Sequence, residues 1–115
     1  MNDRVVRAIK IDLYGEASVV HVSPETWFDG SPIDMVTFDD ANDIVVDDFG
    51  LFNAVLVTAT IGNLRRLPLP AYVVGADGED TVDTTLDMAD VQRAVSDINV
   101  VRGFVGGSSR GDDAA

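Results

Sequence analysis

Five aspartates and no basic residue lie between Val36 and Gly50, in the stretch VTFDDANDIVVDDFG. Carboxylates at this density suit three kinds of chemistry. They coordinate hard cations, they present a negative surface to a basic partner as a phosphate backbone does, or they accept hydrogen bonds from the backbone of tight turns. An EF-hand loop needs acids at alternating positions, then a glycine, then a Glu that completes the coordination. Asp39, Asp40, Asp43, Asp47 and Asp48 lack that rhythm, and no Glu follows them. A looser cation site at Asp47, Asp48 or Asp77 to Asp80 is the metal-binding alternative. The plain reading is a pair of hairpin turns with solvated Asp.

A second acidic run lies further along. Residues 77–97 hold seven acids against Arg93 alone, including Asp77, Glu79, Asp80, Asp83, Asp87 and Asp90. Between the two runs the chain is weakly basic, with Arg65 and Arg66. The net charge is −12. Direct binding to nucleic acid is therefore disfavoured, because affinity for DNA comes from cations that displace counterions. No basic stripe with interleaved aromatics exists. A basic protein surface is the expected partner. The eleven acids expected to meet it are Asp39, Asp40, Asp43, Asp47, Asp48, Asp77, Glu79, Asp80, Asp83, Asp87 and Asp90.

Other chemistry is thinly represented. The chain has no cysteine, which removes disulfides, thiolate metal sites and cysteine nucleophiles. His21 is the only histidine, so a Ser/His/Asp triad would have to use it. Its valine neighbours place it on a strand, as a paired or surface residue. Acid pairs are plentiful, so residue type leaves acid–base chemistry open, but no pair is marked out by its spacing. The glycines at 75, 78, 103, 106 and 107 match neither the dinucleotide fingerprint nor the P-loop. The tripeptide Arg110-Gly111-Asp112 is a chance match to an integrin-type motif. No catalytic residue, cofactor or resident metal is expected, and the chain reads as non-enzymatic.

With 115 residues and a mean hydropathy of +0.13, one small globular domain over 1–107 is expected, with a flexible tail at 108–115. No apolar run approaches the roughly 20 residues of a membrane span, and the N-terminus has no apolar core of signal-peptide type. A cytoplasmic protein is the simplest expectation. Asp and Arg in excess of Glu and Lys, with much Val, Ala and Gly, is the product of GC-rich coding. It suggests an actinobacterial, actinophage or haloarchaeal source. A halophile would use Glu more heavily.

Periodicity supplies the scaffold. Val5, Arg7, Ile9, Ile11 and Leu13 alternate with Lys10 and Asp12, as in a half-buried strand that pairs with Ala17 to Val22 across the turn at Gly15. Ser23-Pro24-Glu25 reads as the start of a short helix. Ile33 to Phe38, Ile44 to Val46, Val55 to Ile61, Ala71 to Val74 and Thr81 to Asp83 read as strands, joined by Asp- and Gly-rich turns. Trp27, Phe28, Phe38, Phe49, Phe52 and Tyr72 are expected in the core. Thr84 or Thr85 caps the best helix of the chain, about 85–98, with Met88, Val91, Val95 and Ile98 on its apolar face. The fold class is α+β: one small domain in which a mostly antiparallel, curved sheet of five or six strands carries that helix.

Three stretches carry a family resemblance. IVVDDFGLFN (Ile44 to Asn53) resembles a VDdeGll pattern. LPLPAYVVGADGEDTVDTTLDMADV (Leu67 to Val91) resembles the pattern that follows it: apolar strand, Gly, acidic Gly-containing loop, capped helix. With RAIKIDL at the start, the order is similar to a small family, domain of unknown function three-eight-four-six, of actinobacteria, their plasmids and phages. The resemblance covers about residues 7–98, and the tail from Gly103 departs from it. It implies a mobile-element source, host cytoplasm as the compartment if the chain is phage-encoded, and no catalytic residues. The functional expectation is a small acidic protein-binding protein of phage or mobile-element type, in its sharpest form a DNA-mimic inhibitor of a host nucleic-acid-binding or defence protein. The alternatives are a carboxylate-based divalent-cation or small-ligand binding domain, and a structural virion component.

Overall fold

The computed structural model describes residues 4–30, 32–48 and 55–102. Phe49, Phe52 and the expected tail at 108–115 lie outside them. The described residues form nine strands and one α-helix, and every strand pair among them is antiparallel. The strands are β1 (Val6–Ile11), β2 (Ala17–Val22), β3 (Ile33–Asp39), β4 (Asn42–Asp47), β5 (Val55–Ile61), β6 (Leu64–Pro68), β7 (Ala71–Asp77), β8 (Asp80–Val82) and β9 (Val95–Arg102). The helix α1 spans Met88–Ala94. A larger sheet has the order β2-β1-β7-β4-β3, with β8 also paired to β7; a smaller sheet has the order β6-β5-β9. The expectation of one sheet with five or six strands is thus corrected to two open sheets. The α+β class and the antiparallel pairing hold.

The two sheets exist because each has an apolar face to bury. Ile9, Ile11, Ile44, Val46, Ala71 and Val73 of the larger sheet share one buried cluster with Val57, Ala59, Ile61 and Leu67 of the smaller one, and Val91 of α1 joins them. The opposite face of the larger sheet is not left to water. Val6, Ala8, Val45 and Val74 are covered there by Trp27, with Phe28 and Tyr72 packed alongside. The Trp27 and Tyr72 ring centroids are 5.1 Å apart, and those of Phe28 and Tyr72 are 5.5 Å apart, edge-on. β1 is accordingly buried on both faces, whereas its alternation predicts one. Its predicted apolar face also fails at the ends, since Val5 and Leu13 are exposed. The segment after Ser23 forms a turn and a 3-10 helix at Trp27–Gly30 in place of the expected α-helical start. Ser23 Oγ does accept from the Glu25 N–H.

The helix differs most from expectation. It ends at Ala94, and Val95 to Arg102 form β9 along the whole of β5. Val95, Ile98, Val100 and Val101 are β-branched, which costs little in a strand and more in a helix. The open edge of β5 then decides the outcome, because pairing satisfies backbone groups that a longer helix would leave exposed. Between Thr58 and Thr60 the partner strand advances from Asn99 to Ser96, so β9 holds one extra residue. That bulge contains Asp97 at φ 49, a left-handed conformation that Asp tolerates. The start of α1 also moves. Asp87, not Thr84 or Thr85, is the N-cap, and Asp87 and Asp90 form the reciprocal capping box. Gln92 ties α1 to the larger sheet: its side chain accepts from Ala17 N–H at 2.8 Å and donates to the Gly15 carbonyl at 2.9 Å.

Candidate functional site: the acidic end of the larger sheet

Two turns that are far apart in sequence meet at one end of the larger sheet. The β3–β4 hairpin turns over Asp40-Ala41, with Asp39 opposite Asn42. The β7–β8 hairpin turns over Gly78-Glu79, with Asp77 opposite Asp80. β4 pairs with β7 so that Asn42 faces Gly75, and Ala76 N–H donates to the Ala41 carbonyl at 2.8 Å. The two turns therefore lie side by side. Asp40, Asp77, Glu79 and Asp80 are exposed there. Among the described residues their side chains form no hydrogen bond and no ion pair. Asp77 and Asp80 are direct cross-strand partners, an arrangement that costs stability between like charges. Asp43 lies one step in from the turn, half-buried on β4 opposite Val74.

The other predicted acids divide into different roles. Asp39 is a turn cap: its carboxylate accepts from Ala41 N–H at 2.8 Å and from Asn42 Nδ2 at 3.0 Å. Asp83 accepts from Arg7 N–H at 2.8 Å, which fastens the chain after β8 to β1. Asp90 caps Asp87 and pairs with Arg93 at 2.6 Å. Asp47 and Asp48 stand at the far end of β4, where Asp47 faces Ile33. Asp47 lies five residue steps along the strand from Asn42, which is about 17 Å at strand rise. Asp47 and Asp48 therefore do not come together with Asp77 to Asp83, because the β4–β7 register holds them at opposite ends of the sheet. Among the described residues no group of three or more Asp, Glu or His side chains is arranged to hold a metal ion.

The affinity of the Asp87 carboxylate for protons is altered by its place at the start of α1. Its pKa lies below the ordinary 3.8, first because the Asp90 backbone N–H donates to it; desolvation opposes this as the next-largest influence, and the Asp90 side chain and Arg93 add smaller lowering effects. A carboxyl lowered in the folded state stabilises the fold above its unfolded pKa, and that contribution is lost as pH falls through the folded value. Asp87→Ala is therefore expected to lower the melting temperature at pH 7. The gap to wild type should narrow as pH is taken from about 5 to about 3, and melting curves across that range measure it. A gap that widens on acidification would contradict the cap.

Sequence reasoning missed Asn42 as the centre of this region. The residue is 1% exposed. Its Oδ1 accepts from the Thr84 hydroxyl at 2.7 Å and from Thr85 N–H at 3.2 Å, and its Nδ2 donates to Thr85 Oγ1 at 2.9 Å as well as to Asp39. Thr84, predicted to cap the helix, spends its hydroxyl here, and its oxygen accepts from Leu86 N–H. Arg7 completes the fastening by donating to the Leu86 carbonyl at 2.8 Å. Nothing local in the sequence marks Asn42; only the packing of residues 83–87 across the sheet makes it central.

His21 is exposed on β2 opposite Arg7, and its side chain makes no hydrogen bond among the described residues. A groove of about 460 Å³ runs between Arg4, Val5, Val6, Val82 and Asp83. Within it Arg4 donates to the Thr81 carbonyl and Asp83 accepts from Arg7 N–H. Among the described residues no helix is long and apolar enough to cross a membrane. No family model, curated protein or solved structure matches the chain. These comparisons neither support nor oppose the resemblance drawn from Ile44–Asn53 and Leu67–Val91.

Proposed function

We propose that this chain is a small non-enzymatic binding protein whose acidic sheet end engages a basic surface on another protein. The observation that supports it is the pairing of the two turns, which gathers Asp40, Asp77, Glu79 and Asp80 from separate acidic runs; among the described residues none of the four forms an ion pair. Repulsion of this kind is retained at a cost to the compact state. A partner's Lys and Arg side chains relieve it, and the long-range field speeds their encounter. In its sharper form the proposal is a DNA mimic: the carboxylates stand in for phosphates on a nucleic-acid-binding or defence protein of the host. The family resemblance, with its phages and plasmids, favours that setting. The cation-binding alternative has no comparable support, because among the described residues no three acids are arranged to hold a metal ion.

Capture from an actinobacterial lysate tests the reading. The immobilised protein is expected to retain basic, nucleic-acid-binding proteins at about 0.1 M salt, where the Debye length is about 10 Å, and to release most of them at about 1 M, where it is about 3 Å. Retention of no basic protein at either salt would remove the proposal.

A further inference from the structure

We draw no further inference here: the strongest candidate, the open edge of β9 with its exposed Ile98, Val100 and Val101, carries nothing because nothing in the structure shows what covers it.

Discussion

Asn42→Ala is expected to destabilise the fold by about 2–4 kcal/mol, read as a lower urea midpoint with an unchanged slope. Little of this cost comes from lost packing, since the side chain is small. Most comes from the groups left behind. The Thr84 residue is 6% exposed, and its hydroxyl loses the acceptor it reaches at 2.7 Å. The Thr85 N–H and Asp39 lose their bonds to the same side chain. A buried donor without a partner costs more than the bond itself contributed. Residues 83–87 should loosen as well, because Asn42 and Arg7 hold them against the sheet. Asn42→Asp separates the two halves of the amide. It keeps an acceptor for Thr84 but turns an oxygen toward the Asp39 carboxylate, so it too should destabilise. A loss below about 0.5 kcal/mol for alanine, the size of an ordinary surface change, would show that the Asn42 network is not what fastens this segment.

Gly75→Ala is the second large effect, and its cause is steric. A Cβ at Gly75 would lie 2.1 Å from the Asp83 carbonyl oxygen and 2.8 Å from its carbon. Those atoms are backbone, and they cannot swing aside as a side chain would. They are also tethered, by Arg7 N–H to Asp83 at 2.8 Å and by Thr84 N–H to the Arg7 carbonyl at 3.0 Å. Relief would require β8 and the chain after it to move off the sheet, at about 3 kcal/mol or more. Gly78→Ala serves as the comparison. Nothing lies within 4 Å of its Cβ position, yet its φ is +65°, so only the left-handed backbone penalty of about 1–2 kcal/mol applies. Equal costs at the two positions, measured by chemical denaturation, would contradict the close approach of Asp83 to β7.

The parts of the fold legible in the sequence are those set by neighbours in the chain. The β1–β2 and β3–β4 hairpins follow from alternation and from Asp- or Gly-bearing turns, and Asp39 acts as the turn cap that its type suggests. The β7–β8 return and the existence of a helix near Val91 follow in the same way. What the sequence hides is set by distant partners. Val91, Val95 and Ile98 fall at helical spacing, but the edge of β5 takes Val95 onward as a strand. β1 alternates like a half-buried strand, but Trp27 covers its second face. The acidic runs show as composition alone. That Asp40 meets Asp77 to Asp80 while Asp47 and Asp48 do not depends on the β4–β7 register, and no local pattern encodes it.

The central claim is that one end of the larger sheet, and not bulk acidity, makes the binding surface. Two variants with equal net charge test it. One neutralises the sheet end, with Asp40→Asn, Asp77→Asn, Glu79→Gln and Asp80→Asn. The other neutralises four exposed acids elsewhere, with Glu16→Gln, Glu25→Gln, Asp34→Asn and Asp48→Asn. Each variant loses four negative charges, so long-range steering weakens about equally in both. The measurement is the amount of basic protein each variant captures from the same lysate at about 0.1 M salt, relative to wild type, after melting curves show that both are folded. Capture is predicted to fall at least tenfold for the sheet-end variant and to stay within about twofold of wild type for the other, a gap of about 1 kcal/mol or more in binding free energy. Equal losses in the two variants, or a greater loss in the second, would contradict the claim.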